Sequence, residues 1–181
     1  NNKAEIKIPH LGNPKNWIII CYTDAALGNL NDGVDSTGGF VIFITNADRK
    51  ECAVLDWQSH KIRRVVRSTL AAEALSLCEG LEAALYLRDM IEDVLNFDSK
   101  SIDIHALVDN QSTVDAVKST TVVDDKRLRR EIGAIKQMLE RGEVKTVQWI
   151  PGSEQLADVL TKRGVNGLEL LSVIQQGKFS Q

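Results

Sequence analysis

Three segments near the start of the chain have the apolar patterning of β-strands. They are 17–23 (WIIICYT), 38–45 (GGFVIFIT) and 53–58 (AVLDWQ). β-branched and aromatic residues are common in them, and the turn-like segments GNLNDG and NADRKE separate them. Because these connections are too short for helical crossovers, the pattern predicts an antiparallel meander.

The hydrophobic period then lengthens to that of a helix. A long helix is predicted from Ser68 to about Leu95, with Ser68 or Thr69 as its N-cap. The remaining pattern predicts a strand at 101–108, helices at 110–118 and 125–141, a strand at 144–150, a short helix at 154–162 and one or two helical turns at 167–174. Gly142 is the expected stop of the third helix.

This order of elements predicts an α/β fold in which a mixed sheet carries helices on its faces. The fourth strand follows a long helix, so it should join the first strand in parallel through a right-handed crossover. The carboxyl ends of these two strands would then border a crevice, which is where open α/β sheets bind ligands.

Composition narrows the class of protein. The chain has 181 residues, 43% of them hydrophobic, enough for one well-filled core. Its three cysteines are scattered, which predicts neither a disulfide framework nor a zinc site. No apolar run approaches the roughly 18 to 20 residues needed to cross a bilayer, and the start of the chain lacks the apolar core of a signal peptide. We therefore expect an intracellular protein with no membrane partner.

Four acidic residues are candidate metal ligands. Asp24 and Asp109 each close an apolar strand, although either alone is typical of a cap or turn. Glu73 interrupts the apolar stripe of the long helix, and Asp158 either points into the same crevice or is an exposed acid paired with Lys162. Four like charges in one crevice would oppose folding unless cations lay among them. This predicts a metal site.

Basic residues are clustered although the net charge is −3. Local clusters can bind phosphates even on an acidic protein, and each can equally be a solvated face. The candidate nucleic-acid-binding residues in these clusters are Arg63, Arg64, Arg67, Arg129 and Arg130.

Several motifs, in order along the chain, resemble the ribonuclease H domain of copia-type (Pseudoviridae) LTR retrotransposon polyproteins. They are Asp24 after its strand, STLAAEAL, VDNQS and WIPGSEQLADVLTKRG. The resemblance covers about residues 16–164, which leaves an extension at 1–15 and a tail at 165–181. It implies a five-stranded mixed sheet in which the first three strands are antiparallel and the fourth and fifth are parallel.

The resemblance also implies an activity, hydrolysis of the RNA strand of RNA–DNA hybrids with two Mg²⁺ ions, for which Mn²⁺ is a possible substitute. Asp24, Glu73, Asp109 and Asp158 would be the catalytic metal ligands. Asp24 would bridge both ions and Asp158 would complete the water-activating site. Glu73 and Asp109 would hold the other ion, with Glu73 near the 2′-hydroxyl that distinguishes RNA from DNA.

The implied partners are the hybrid itself and the polymerase region of the same polyprotein, since the chain contains no Tyr-x-Asp-Asp box. Asn110 and Gln111, at a helix N-terminus, would contact the hybrid backbone. The domain is expected to be a monomer, in a cytoplasmic virus-like particle or in the nucleus.

One feature departs from many ribonucleases H, which carry a catalytic histidine before the last acidic helix. Residues 151–153 contain none. Copia-type domains often lack this histidine, and the presence of all four acids favours an active nuclease. Two alternatives stay open. One is a catalytically silent hybrid-binding or tethering domain of a decayed or domesticated retroelement. The other is a nuclease of the integrase or resolvase type, against which the LTK sequence argues.

Overall fold

The first three strands form the predicted meander, and each is longer than its apolar run. The computed structural model describes residues 5–30, 35–120 and 124–179. The meander consists of β1 (Trp17–Leu30), β2 (Asp35–Asn46) and β3 (Cys52–Ile62), paired antiparallel. The prediction that the first strand ends at Thr23 is wrong, because the backbone keeps pairing with β2 beyond the apolar run, for example Asp24 with Gly39. The predicted GNLNDG turn lies partly outside the described residues.

The helices and parallel strands follow in the predicted order. The long helix α1 (Thr69–Leu95) begins after Ser68, whose side chain accepts a hydrogen bond from the amide of Ala71. The remaining elements are β4 (Asp103–Val108), α2 (Gln111–Lys118), α3 (Lys126–Glu140), β5 (Thr146–Trp149), α4 (Asp158–Thr161) and α5 (Leu168–Gln176). The short helix predicted at 154–162 is in two pieces, a 3₁₀ turn at Gly152–Glu154 and α4, because Gln155 between them is extended.

The strand order is β3-β2-β1-β4-β5, with β4 parallel to β1 and β5 parallel to β4. This confirms the predicted five-stranded mixed sheet and the central position of the first and fourth strands. The parallel pairing of β1 with β4 runs from Ile18 opposite Asp103 to Tyr22 opposite Leu107.

Alternate residues of each strand face opposite sides of the sheet, and each side has its own apolar core. Ile19 and Cys21 of β1 belong to the core that includes residues of α1 and α3. Ile20 and Tyr22 belong to the other core, which includes Leu170 and Val173 of α5. The segment predicted as a C-terminal tail thus covers the second face of the sheet as far as Phe179, whose ring lies 5.3 Å from that of Phe43. In the described part of the chain, no helix combines the length and apolar character needed to cross a membrane.

A glycine allows α1 to lie close against the sheet. A Cβ atom at Gly80 would lie 2.6 Å from Thr23 Cγ2, 3.1 Å from Cys21 Sγ and 3.2 Å from Phe40 Cβ. Thr23 and Phe40 are themselves buried, so they have little room to move away. This close contact fixes the height of α1 above β1, and with it the position of Glu73 two turns earlier in the helix.

We predict that Gly80→Ala destabilises the protein by about 1–3 kcal/mol, the usual range for an overpacked core. This change in stability has the opposite sign to that expected at an unhindered glycine in a helix, where alanine is more stable than glycine by up to about 1 kcal/mol. Gly133→Ala in α3 is the matched control, since a Cβ there meets nothing within 4 Å. Urea unfolding of both variants measures the difference. A Gly80→Ala protein as stable as the Gly133→Ala protein would contradict the packing argument.

Candidate active site

Three aspartates from distant parts of the chain meet at one end of the sheet. Asp24 lies on β1 just beyond its parallel pairing with β4, Asp109 directly follows β4, and Asp158 is the first residue of α4. One carboxylate oxygen from each lies within 4.8 Å of the others. Among residues 5–30, 35–120 and 124–179, this is the one group of three or more acids, histidines or cysteines close enough to hold a metal ion.

Neutral polar side chains hold the backbone around Asp24. The Ser76 hydroxyl, from α1, donates to the Asp24 carbonyl over 2.8 Å and accepts from the Gly39 amide over 3.2 Å. The Gln155 side chain donates to the Thr23 carbonyl over 3.0 Å and accepts from the Ala157 amide over 3.1 Å. These contacts join α1 and the segment before α4 to β1. Sequence reasoning missed both residues, because nothing in their types marks them as part of a site.

A second close approach brings α4 to the sheet. A Cβ atom at Gly39 would lie 3.0 Å from Leu160 Cβ and 3.0 Å from Thr161 Cγ2. Glycine therefore allows α4 to pack directly on β2, and this places Asp158 beside Asp24. The Thr161 hydroxyl donates to Asp24 Oδ2.

Asp24 is completely buried. Burial raises the pKa of its carboxyl group, and the nearby Asp158 and Asp109 raise it further, whereas the Thr161 hydrogen bond and the Lys162 charge lower it. Its Oδ1 atom is buried and accepts no hydrogen bond. This oxygen is therefore available to a cation.

Glu73 lies beside the aspartates but outside their 4.8 Å group. The residue is only 3% exposed, and its Oε2 atom has no hydrogen-bond partner. Burial and the charges of Asp24 and Asp109 raise the pKa of Glu73 to about 9, although the amide of Ala25 donates to its carboxyl group. In the absence of a bound metal ion, this raised pKa favours the protonated, neutral form of Glu73.

The protein itself supplies a cation to this cluster. The Lys162 ammonium lies 2.6 Å from Asp158 Oδ1, 3.4 Å from Asp24 Oδ1 and 3.6 Å from Asp109 Oδ2. Burial alone would lower the pKa of Lys162, but these carboxylates raise it above its ordinary value. Sequence reasoning placed Lys162 in a basic cluster with Arg163 and, as an alternative, beside Asp158. Its contacts with the other two acids depend on tertiary structure.

The ligand atoms fit a hard divalent cation. All three clustered side chains offer carboxylate oxygen, the donor that Mg²⁺ prefers, with no sulfur or imidazole among them. Asp24 Oδ1 and Glu73 Oε2 are buried oxygens without a hydrogen-bond donor. Such unsatisfied buried polar atoms are rare in folded proteins, and a bound cation would account for both once Glu73 is ionised.

Two predicted backbone-contacting residues already have partners within the protein. The Asn110 side chain caps α2 by accepting from the Thr113 amide over 3.0 Å. The Gln111 side chain donates to Asp115 over 2.7 Å.

The Trp149 indole donates to the Asp109 carbonyl over 3.0 Å, and the residue is 48% exposed. Trp149 thus helps to fix Asp109, a role that sequence reasoning missed.

The predicted basic residues do not all come together. The loop before α1 and the start of α3 enclose a cleft of about 360 Å³, whose basic lining residues are Arg64, Arg67, Lys126 and Arg127. Arg130 lines a smaller neighbouring cleft with Arg64. Arg63 lines a different cleft beside His60 and Glu79, and Arg129 donates to the Asp124 carbonyl over 3.3 Å.

A scan against models of known protein families finds no match for the sequence, and a search of curated proteins finds none. Solved structures, however, share the fold. The N-terminal RNase H domain of Rv2228c from Mycobacterium tuberculosis is similar at a TM-score of 0.55 and 16% identity, over 85% of this chain and 95% of that one. LC11-RNase H1 was obtained from compost by a metagenomic approach and solved in complex with an RNA/DNA hybrid. It is similar at a TM-score of 0.55 and 19% identity, over 79% of this chain and 93% of that one.

A viral structure is similar as well. The foamy viral protease–reverse transcriptase in complex with an RNA/DNA hybrid matches 98% of this chain, at a TM-score of 0.51 and 10% identity, with the match covering 22% of the viral chain. At these identities the comparisons establish the fold, which is that of ribonuclease H domains.

We predict that the metal-free protein loses stability as the pH rises from about 4.5 to about 9, and that Glu73→Gln reduces this loss. The raised pKa of Glu73 means that the folded state retains a proton that the unfolded state releases. The contribution of this Glu73 proton to stability is therefore fully present below the ordinary glutamate pKa. It is lost as the pH rises through the pKa of Glu73 in the folded state.

Urea unfolding in a chelating buffer at pH 5, 7 and 9 measures the effect. Glu140→Gln, which removes an exposed carboxylate from the end of α3, is the control and should keep the wild-type pH dependence. Identical pH profiles for Glu73→Gln and the wild type would show that Glu73 carries no such proton.

Proposed function

We propose that this chain is a metal-dependent ribonuclease H that hydrolyses the RNA strand of RNA–DNA hybrids. The observation that carries the proposal is the meeting of Asp24, Asp109 and Asp158 at the end of β1 and β4, on a ribonuclease H fold. Like charges that converge on the buried Asp24 oppose folding, so the meeting of these three acids favours a cationic ligand.

The proposed metal ligands are the three aspartates and Glu73. Two divalent ions, when bound, supply an activated water and stabilise the leaving 3′ oxygen. Ser76 donates to the Asp24 carbonyl and Thr161 donates to Asp24 Oδ2. The other carboxylate oxygen, Oδ1, accepts no hydrogen bond and is therefore fixed in position before any ligand binds. Glu73 must release its proton to act as a ligand, and metal affinity should therefore increase with pH.

The hybrid is the proposed substrate, and the basic cleft between α1 and α3 is its proposed phosphate contact. Two of the structures with this fold were solved with an RNA/DNA hybrid. Arg64, Arg67, Lys126 and Arg127 bring positive charge to one cleft of a protein whose net charge is −3. Arg64 also pairs with Glu131 over 2.7 Å, so a phosphate would have to share or displace that contact.

We further propose that the chain is the ribonuclease H domain of a copia-type retrotransposon polyprotein, acting beside its polymerase region. The motifs around the four acids support this origin, as does the likeness of fold to a viral reverse transcriptase. Mg²⁺ is the proposed ion, with Mn²⁺ as a substitute, and the virus-like particle or the nucleus is the proposed location.

One observation favours a second candidate, a hybrid-binding domain without catalysis. The Lys162 ammonium already lies among the acids, where it balances part of their charge without a metal. Such a domain would bind the hybrid in chelating buffer and cleave it under no condition.

We predict that Asp24→Asn lowers hybrid cleavage by about a hundredfold or more, since losing even groups that support metal ligands costs about 10–100-fold. Asp103→Asn is the matched control, because Asp103 lies at the opposite end of β4 and pairs with Lys145. The assay follows a labelled RNA strand in a hybrid, with Mg²⁺, with Mn²⁺ and with chelator. Cleavage by Asp24→Asn at the wild-type rate would refute the metal site, and no cleavage by the wild type would favour the binding domain.

We also predict that replacing Arg64 and Arg67 with glutamine weakens hybrid binding and reduces the slope of log affinity against log salt by about 2, since each lost phosphate contact changes it by about 0.9. Binding is measured in chelating buffer to prevent cleavage. The double replacement of Lys100 and Lys145 is the control, because these lysines contact Arg141 and Asp103, away from the cleft. An unchanged slope in the arginine variant would exclude the cleft as a phosphate contact.

A further inference from the structure

Lys162 has an unusual position for a cation in a metal site. It directly follows α4, one helical turn after Asp158, and its ammonium reaches a carboxylate oxygen of each clustered aspartate at 2.6, 3.4 and 3.6 Å. The three acids come from different elements, so this one side chain links β1, the end of β4 and α4. It offsets their mutual repulsion in the metal-free protein.

The ammonium and a metal ion cannot share this space. Mg²⁺ binds carboxylate oxygens at about 2.0–2.1 Å and requires near-octahedral geometry, so its ligands must close around it. The ammonium lies among the same oxygens that would have to do so. The 3.4 Å contact with Asp24 Oδ1 also fails to satisfy that buried oxygen, which still accepts no hydrogen bond.

The lysine is better able to move than the acids. Its side chain is 36% exposed, whereas that of Asp24 is 1% exposed and is held by the Thr161 hydroxyl. A lysine side chain is a flexible four-carbon chain, and its ammonium is strongly hydrated once it leaves a partner. Asp24 can therefore keep its position while Lys162 turns outward.

We propose that Lys162 is a positioning residue that acts as the internal counter-ion of the metal-free site and competes with the metal for the three aspartates. This inference rests on the proposed metal site. In the absence of metal, Lys162 holds the acids together. When metal binds, the ammonium leaves the cluster, and part of the metal's binding free energy is used to displace it.

The test compares metal binding and metal-free stability, without substrate. Lys162→Met should lower the melting temperature in chelating buffer, because the acids lose their counter-ion. Calorimetric titration with Mg²⁺ should show about fivefold or greater tightening, the size of a typical coupling between two linked binding events. The difference in melting temperature from the wild type should then shrink or reverse in saturating Mg²⁺.

Two further variants separate direct contact from a general effect of charge. Arg163→Met removes the same charge from the next residue, which is exposed, and should leave Mg²⁺ affinity within about twofold of the wild type, as a screened surface charge would. Lys162→Arg keeps the charge and should bind Mg²⁺ no more tightly than the wild type. It also serves as the test protein if Lys162→Met does not fold.

The outcomes are distinct. Unchanged or weaker Mg²⁺ affinity in Lys162→Met, with binding retained by the wild type, overturns the competition. Equal tightening in Arg163→Met also overturns it, since the effect would then be long-range. If Asp24→Asn binds Mg²⁺ as tightly as the wild type, it is the proposed metal site that fails.

Discussion

The repulsion among buried carboxylates at the end of β1 and β4 is the constraint around which this molecule is organised. Asp24 is fully buried and Glu73 nearly so, and Asp109 and Asp158 lie beside them. Burial and mutual repulsion raise the pKa of both Asp24 and Glu73. A protein can keep such a cluster only if protons or cations reduce its charge. In the metal-free state the ammonium of Lys162 lies among the acids, and the raised pKa of Glu73 favours its protonated form.

The fold holds these acids by two close packing contacts and a set of neutral hydrogen bonds. Gly80 lets α1 approach β1, and Gly39 lets α4 approach β2. Ser76 and Gln155 then attach both segments to the backbone of β1 at Thr23 and Asp24. Because these holding groups are uncharged, they fix the acids without neutralising them. The carboxylates thus remain able to bind a cation.

The sequence predicts those features of the fold that depend on the hydrophobic period or on the position of a residue at the end of a strand. The apolar runs predict the strands, and the parallel placement of the first and fourth strands predicts that Asp24 and Asp109 end up together. The triple contact of Lys162 could not be predicted, because it depends on the orientation of one side chain among three elements. The same holds for the basic residues. Arg63, Arg64 and Arg67 are close in sequence, yet Arg63 and Arg67 line different clefts, and Arg64 between them lines both.

We propose that the three aspartates form a metal centre. The most direct measurement is anomalous diffraction from crystals of the protein grown with Mn²⁺ and without nucleic acid. The expected result is an anomalous peak within bonding distance of Asp24, Asp109 and Asp158, with the Lys162 ammonium displaced from the cluster. The absence of a peak at this position under saturating Mn²⁺, with Lys162 still in contact with all three aspartates, would contradict it.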